Sequence, residues 1–201
     1  MLGIVFATKA EADPLLNALN GSAECVGRTA FGSRFFTSEI EMAVGIVGMG
    51  KGASAAGTAS FLEQYQPAVV INAGIAGALD DSLTLGAVYR VSQATDRDAP
   101  DAPASVWRAV GVSDLPAARL VTSAAPVFSA DIRAALRPLG EMVDMEGIAV
   151  GRVCAERGVP IVGLKCISDF ANDGDRTSLL ENLHRASAVV ATAILSRLSR
   201  F

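Results

Sequence analysis

Short apolar runs alternate with segments of helical character along the chain. The runs have the length of buried strands and lie at residues 2–7, 42–47, 68–72, 88–91, 120–123 and 159–167. The segments between them predict helices, which lie at about residues 15–21, 53–65, 129–136 and 178–198. A hairpin centred on Gly32 is expected between the first helix and the second strand. Strands that alternate with helices in this way indicate a mostly parallel α/β sheet.

The stretch from residue 143 to residue 173 is the one around which the rest is organised. It predicts the end of a strand, a helix, an apolar strand over residues 159–167 and an acidic loop. Asp144 is expected to cap the helix, with Glu146 in its first turn, and Asp169 comes directly after the next strand. In a parallel sheet these positions share one edge, so Glu146 and Asp169 are predicted to face one crevice.

Other polar and glycine features follow the earlier predicted strands. Glu11 comes after the first strand, the glycine-rich segment 48–52 after the second, and the segment 74–77 after the third. Short glycine loops let backbone N–H groups approach a ligand closely. All of these features are therefore expected at the carboxyl edge of the same sheet.

Each feature also has an ordinary structural explanation. The glycine segments lack the spacing of a nucleotide P-loop or a dinucleotide-binding turn, so tight turns explain them. Acids such as Glu11 and Glu146 are favoured in the first turn of a helix by its dipole, and Asp169 suits a turn. Methionine and aromatic residues more often fill a core than line a ligand. Their joint placement at one edge, rather than any single motif, indicates a ligand site.

The composition is that of a globular protein. The chain has 201 residues, 51% hydrophobic and 19% charged, and a single domain over residues 1–201 is expected. No apolar run reaches the length of about 20 residues that a membrane span needs. The first residues lack the basic flank and the cleavage site of a secretory signal. No association with a membrane is therefore expected.

The charge and the cysteines narrow the choice of partner and compartment. A formal net charge of −4 and a pI of about 5.0, without a cluster of Lys or Arg, argue against a nucleic-acid surface. The three scattered cysteines, Cys25, Cys154 and Cys166, indicate buried thiols in a reducing cytoplasm. With one histidine in the chain, a His-rich metal site is excluded.

Four short motifs stand in a fixed order: GMGK at 48–51, VINAGIAG at 70–77, DMEG at 144–147 and ISD at 167–169. With the early Glu11, they resemble in order and spacing the nucleoside phosphorylase/nucleosidase superfamily. The most similar pattern is that of the methylthioadenosine/S-adenosylhomocysteine nucleosidases and their relatives, which include the futalosine hydrolases. The resemblance covers nearly the whole chain. It implies a three-layer α/β/α fold with a central mixed, mostly parallel sheet.

The resemblance also implies roles for three carboxylates. Asp169 matches the acid that protonates or hydrogen-bonds N7 of the departing purine, and Ser168 matches the neighbour that holds it. Glu146 matches the carboxylate that binds the ribose hydroxyls, with Met145 packed on the sugar. Glu11 matches the glutamate that positions and activates the attacking water. Cleavage of an N-glycosidic bond leaves positive charge on the ribose and negative charge on the base, which suits this arrangement of acids.

The same resemblance implies the walls of the pocket. Met49 matches a wall residue, and Gly74 belongs to the middle glycine segment. The pair Val127 and Phe128 falls where the family places its base-stacking aromatic, shifted by one position. The expected substrate contacts are therefore Met145, Ser168, Met49, Gly74, Val127 and Phe128.

The residues favour hydrolysis over phosphorolysis. Phosphorolysis needs positive groups around a phosphate, typically arginines, and the related phosphorylases carry an arginine before the middle glycine loop. Here residues 72–76 include no basic residue and no hydroxyl, and Lys9 is the only cation close to the first loop. Water rather than phosphate is therefore the expected nucleophile.

The sequence thus predicts a cytoplasmic purine nucleoside hydrolase that releases the free base and needs no metal or organic cofactor. Its partner is a small-molecule nucleoside with a modified 5′ group, which Thr8 and residues 178–180 are expected to border. The family resemblance implies a homodimer. Two alternatives stay open, a phosphate-dependent purine nucleoside phosphorylase and a non-catalytic nucleoside-binding protein. The three carboxylates argue against the second, because a binding protein has no need of Glu11.

Overall fold

The structure, a computed structural model, describes residues 1–22, 24–29, 32–37, 40–172 and 175–201. For residues 22, 24–29, 175, 176 and 178 it describes the backbone alone. The turn of the predicted hairpin and the thiol of Cys25 therefore lie outside the described part of the chain.

The described residues contain the strands and helices that the apolar pattern predicts. The strands are β1 (Leu2–Phe6), β2 (Glu24–Thr29), β3 (Gly32–Phe36), β4 (Glu41–Ile46), β5 (Val69–Ala78), β6 (Val88–Asp96), β7 (Ser105–Val106), β8 (Ala117–Thr122), β9 (Met142–Asp144) and β10 (Ile161–Asp169). The helices are α1 (Lys9–Ser22), α2 (Lys51–Tyr65), α3 (Ala130–Leu136), α4 (Gly147–Glu156) and α5 (Asp175–Leu195), with a final 3-10 turn at Leu198–Arg200.

The described strands form one mixed sheet. β1 lies between β4 and β5 and is parallel to both, and the β2–β3 hairpin extends the edge formed by β4. On the other side β5, β10, β6, β8 and β9 pair in a closed ring. The mixed α/β fold is as expected. Parallel pairing joins β1 to β4 and β5, β5 to β10, and β8 to β6 and β9, while the hairpin, β7 and the remaining contacts of the ring are antiparallel.

Strand β5 is longer than its apolar run predicts. It continues through residues 74–77 to Ala78, because β10 pairs with it along most of its length and β9 pairs with its end. The middle glycine segment is therefore part of a strand and not the predicted loop. Glycine within a strand is typical of a place where another group approaches the backbone closely.

Four of the five described helices pack in two pairs. α1 packs on α5 beside a cluster of buried residues that includes Ile4, Leu15 and Val190. α2 packs on α4 beside a second cluster that includes Phe61 and Ile148. Within the described ranges, no helix combines the length and the apolar character of a membrane span.

The start of α4 differs from the prediction. The helix begins at Gly147, so Met145 and Glu146 precede it instead of forming its first turn. Asp144 nevertheless satisfies the helix terminus, since its carboxylate accepts the N–H of Gly147 at 2.9 Å and that of Glu146 at 3.3 Å. Glu146 is therefore the residue from which the chain enters α4 after β9 has ended at Asp144.

Candidate active site

A cavity of about 680 Å³ opens at the end of the sheet where β1, β5, β9 and β10 finish. Its volume is that of a typical small-molecule pocket. Glu11, Glu146 and Asp169 all line it, although they are remote from one another in the sequence. Their exposed fractions are 6%, 7% and 3%, so each carboxyl group is largely shielded from bulk water. The structure thus brings the three predicted acids together at one edge.

Glu11 is held by donors on both of its oxygens. Oε2 accepts hydrogen bonds from the N–H and the hydroxyl of Thr8 at 3.0 and 2.9 Å, and Oε1 accepts the N–H of Ile75 at 3.2 Å. Gly74 leaves the room for this carboxylate, since a Cβ there would lie 2.6 Å from Oε1. Residues 75–77 line the cavity and Gly74 does not. The glycine expected to contact substrate therefore serves to admit Glu11.

Glu146 has an environment that favours its neutral form. Its Oε1 accepts the backbone N–H of Gly50 at 2.6 Å. Burial, and after it the negative charge of Asp144, raises the pKa of Glu146 to about 7. The Gly50 hydrogen bond and the Lys165 ammonium act in the opposite direction, and Glu11 adds to the increase. This carboxyl group therefore titrates close to neutral pH.

Lys165 is a site residue that the sequence analysis did not identify. It lies within the buried strand β10, is 3% exposed, and places its Nζ 2.9 Å from Oδ2 of Asp144. Burial lowers the pKa of Lys165, but the charges of Asp144, Glu11 and Glu146 outweigh this effect and the net direction is upward. A lysine inside a continuous apolar run was the available signal, because a buried ammonium requires anionic partners.

Asp144 also does more than the predicted capping. Its Oδ1 accepts the hydroxyl of Thr122 at 2.8 Å while its Oδ2 pairs with Lys165. Thr122 and Asp144 are partners in the parallel register of β8 and β9. Asp144 therefore connects the lysine, the start of α4 and the neighbouring strand.

Asp169 is fixed at the end of β10 by two groups. Its Oδ1 accepts the N–H of Ala171 at 2.9 Å, and its Oδ2 lies 2.7 Å from the hydroxyl of Ser168. The same hydroxyl is 3.3 Å from the carbonyl oxygen of Ala76. A hydroxyl can donate one hydrogen bond and accept others. Ser168 can therefore donate to an ionised Asp169, or donate to the carbonyl and accept from a protonated Asp169.

The remaining walls of the cavity are mostly apolar. Four of them were predicted, namely Met49, Val127, Phe128 and Met145. Thr8 also borders the cavity, as do Leu179 and Leu180 from the segment 178–180. Residues that the sequence analysis did not identify are Ala125, Pro126 and Leu183. The leucines share one end of α5, and their spacing of three and four residues was the available signal.

Across the described ranges, no three His, Cys, Asp or Glu side chains are grouped as metal ligands would be. Lys9, the cation predicted to lie near the first loop, pairs instead with Asp13 at 2.6 Å, and its side chain is 75% exposed. Lys9 is therefore not among the side chains that line the cavity.

The fold and the cavity together define an α/β protein with a small-molecule pocket whose floor carries buried acids. The sequence profile of the Phosphorylase superfamily matches residues 1–138 and 115–200 of this chain. The chain therefore belongs to the Phosphorylase superfamily. This result confirms the resemblance that the four motifs indicated.

Individual relatives are similar over their full length. A 5′-methylthioadenosine/S-adenosylhomocysteine nucleosidase of Staphylococcus aureus is 27% identical, with 98% of this chain and 100% of the relative covered. The native structure of the futalosine hydrolase of Helicobacter pylori superposes with a TM-score of 0.88 at 22% identity, covering 100% of this chain and 97% of that one. A 5′-methylthioadenosine/S-adenosylhomocysteine nucleosidase of Colwellia psychrerythraea, solved in complex with adenine, gives a TM-score of 0.88 at 22% identity and covers 99% and 94%.

Proposed function

We propose that the protein is an enzyme that hydrolyses the N-ribosidic bond of a purine nucleoside and releases the free base. The observation that carries the proposal is the meeting of Glu11, Glu146 and Asp169 in one buried cavity. The relatives are named for methylthioadenosine/S-adenosylhomocysteine nucleosidase and futalosine hydrolase activity, which supports the same reaction. Both names point to a purine nucleoside with a modified 5′ group as substrate.

The three acids have separate tasks in the proposed reaction. Glu146 binds the ribose hydroxyls, and its negative charge stabilises the positive charge that develops on the sugar. Glu11, fixed by the hydrogen bonds of Thr8 and Ile75, orients the water that attacks the anomeric carbon. Asp169 gives a proton or a hydrogen bond to N7, so that the base leaves without a full negative charge. The reaction proposed in this way needs neither a metal nor an organic cofactor.

Apolar side chains fix the substrate around these acids. Met145 packs on the sugar, and Met49, Val127 and Phe128 line the place of the base. Ser168 holds Asp169 through its hydroxyl. An apolar wall excludes water from the leaving group, which strengthens the electrostatic effect of each carboxylate.

The electrostatics of the site disfavour phosphate as the nucleophile. Lys165 does not line the cavity, and its ammonium is already paired with Asp144 at 2.9 Å. Glu11 and Glu146 add further negative charge beside it. A phosphate dianion placed there would meet more carboxylates than cations, whereas a neutral water meets no such repulsion.

The proposal is tested by assaying base release from a panel of purine nucleosides, with and without inorganic phosphate. We expect free base from at least one of methylthioadenosine, S-adenosylhomocysteine, futalosine and inosine, at a rate that does not depend on phosphate. Formation of ribose 1-phosphate would instead identify a phosphorylase. Thermal stabilisation by a nucleoside without any turnover would identify a binding protein and contradict the proposal.

The pH dependence of the reaction follows from the environment of Glu146. Its pKa is raised to about 7, so below that pH a growing fraction is protonated and offers no charge to the ribosyl cation. We expect kcat/KM to fall about tenfold per pH unit on this acidic limb. In Glu146→Gln the limb is absent, and kcat/KM on the alkaline plateau is lower by about 10²-fold. A pH–rate profile measures both effects.

The matched control for this profile is Glu156→Gln, at the exposed end of the same helix α4. It is expected to keep the wild-type limb and rate. An acidic limb that persists unchanged in Glu146→Gln would show that another group is responsible for it.

The proposal extends to the domain organisation and the assembly of the protein. We propose that the chain is one domain over residues 1–201 with helices on both faces of the sheet, which gives three layers. A homodimer in the cytoplasm fits the family. It also fits the rim of the cavity, where Met49 and Leu180 are 64% and 63% exposed and would be covered by a partner subunit.

A further inference from the structure

A second group of charges lies beside the candidate active site, outside the cavity. Asp96, at the end of β6, is 6% exposed and lies between two cations. Its Oδ1 accepts a hydrogen bond from Nζ of Lys51 at 2.8 Å, and its Oδ2 accepts one from Nη1 of Arg152 at 3.0 Å. The N–H of Asp98 donates to Oδ1 as well, at 3.1 Å, and the carboxylate of Asp98 also pairs with Lys51. None of these side chains lines the cavity.

The two cations belong to the two helices that meet at Glu146. Lys51 is the first residue of α2, directly after Gly50, whose N–H donates to Oε1 of Glu146 at 2.6 Å. Arg152 belongs to α4, of which Glu146 is the N-terminal cap residue. The Asp96 carboxylate is therefore bonded to α2, which follows the donor Gly50, and to α4, which follows the acceptor Glu146.

Local structure leaves Gly50 dependent on such an anchor. Its φ of +83° lies in the left-handed region, where glycine has wide conformational freedom. Gly50 has no side chain that could cap α2, so the orientation of its N–H follows that of the first turn of the helix. Within that turn, Lys51 is linked to the sheet by its ion pair with Asp96.

The Gly50 hydrogen bond matters because Glu146 is poorly placed to be ionised. The charged groups that face Glu146 are Asp144 and Glu11, which disfavour its charge, and Lys165, which favours it. The Gly50 N–H is a further group that stabilises the carboxylate. A change of a few tenths of an ångström or a rotation of this donor weakens the hydrogen bond steeply.

We propose that Asp96 is a positioning residue for the ribose-binding carboxylate: through Lys51 and Arg152 it fixes the Gly50 amide on Glu146. The kinetic consequence of this proposal rests on the proposed function, whereas the Gly50–Glu146 hydrogen bond does not depend on that function. Removal of Asp96 can shift the pKa of Glu146 in either direction, and the direction distinguishes a positioning role from a purely electrostatic effect. Loss of the donor raises the pKa of Glu146. Loss of the negative charge alone leaves Arg152 without this partner and Lys51 with Asp98 only, and lowers that pKa.

The experiment compares the acidic limb of kcat/KM in wild type, Asp96→Asn and the double variant Lys51→Gln/Asp96→Asn. The double variant removes the ion pair without changing the net charge, so the Coulomb effect is largely absent. In Asp96→Asn and in the double variant, we expect the acidic limb to move to higher pH by about one unit. This shift lowers kcat/KM about tenfold at pH values on the limb, and by less than about twofold on the alkaline plateau. Lys51→Arg, which retains the cation, is expected to keep the wild-type limb.

The control is Glu141→Gln, which removes a partly buried ion pair with Arg119 (Nε to Oε1 2.8 Å) outside the lining of the cavity. It is expected to leave the limb in place. A limb in Asp96→Asn that is unmoved, or that moves to lower pH, overturns the proposal. A uniform loss of rate at every pH in both variants shows a merely structural role and overturns it too.

A measurement that does not depend on catalysis separates the test of the positioning role from the test of the proposed function. NMR titration of isotope-labelled glutamate carboxyl carbons, with the Glu146 signal assigned by its loss in Glu146→Gln, gives the same pKa directly. If the wild type releases no base from any nucleoside, the proposed function fails, while the titration still decides on the positioning role. An equal Glu146 pKa in wild type and in the double variant contradicts it.

Discussion

The Asp169→Asn enzyme is expected to release purine base at about one thousandth of the wild-type rate, because general acid catalysis contributes on the order of 10²–10⁴-fold. An amide has no proton acidic enough to neutralise the departing base. The substitution is otherwise mild: the amide oxygen can still accept the N–H of Ala171, and the amide nitrogen can donate to the hydroxyl of Ser168. The loss is therefore expected in kcat, with the fold retained.

The measurement is single-turnover release of the base, followed by chromatography, with thermal unfolding as the check on folding. Asp114→Asn is the matched control, since it changes an exposed aspartate that pairs with Arg197 far from the cavity. It is expected to keep the wild-type rate. An Asp169→Asn enzyme that is folded and retains more than about a tenth of the rate would reject the acid role.

Glu11→Gln is expected to lower kcat by about 10²–10⁴-fold while KM changes little. Glu11 is proposed to act on water and not on the nucleoside, so ground-state binding has little to lose. The amide introduces a second difficulty. Both oxygens of Glu11 accept hydrogen bonds from backbone N–H groups, those of Thr8 and Ile75, and an amide NH₂ must face one of these donors.

Steady-state kinetics with the best substrate of the panel separate kcat from KM for this variant. The matched control is Asp13→Asn on the same helix α1, where the carboxylate pairs with the exposed Lys9. We expect wild-type kinetics for the control. A large rise in KM at constant kcat in Glu11→Gln would show that Glu11 binds substrate rather than activating water.

The convergence of the acids was predictable from the sequence because it follows from the sheet. Glu11 and Asp169 follow β1 and β10, which both run parallel to β5, and the ends of parallel strands share an edge. Glu146 follows β9, which reaches the same edge by pairing antiparallel with the end of β5. The succession of strands and helices followed from the length of the apolar runs. The resemblance to nucleosidases then gave purine nucleoside hydrolysis, which agrees with the relatives found by comparison.

Lys165 was missed because a strand that is buried on both faces shows no alternation. All residues of β10 are buried, so the position of one lysine in the run does not reveal which group it meets. Its partner Asp144 lies 21 positions earlier in the sequence, in another strand, and was interpreted from its local role at a helix start. Only the pairing of distant strands brings the two charges together.

The middle glycine segment was misjudged for the same reason. Residues 74–77 carry a local turn signal, and the backbone pairing that makes them a strand comes from β9 and β10, which follow much later. Of the apolar end that α5 contributes, residues 178–180 were expected at the pocket and Leu183 was not. Local pattern predicts elements well and their contacts poorly.

The closed ring of strands has a mechanical consequence for the site. Gly77 of β5 is the register partner of Asp169 on one side and of Val143, next to Asp144, on the other. Asp169 and the segment that leads to Glu146 are thus paired with a single backbone residue and cannot separate without breaking the ring. Opening of the cavity is therefore expected on the side of Leu179, Leu180 and Leu183, which α5 contributes from outside the ring.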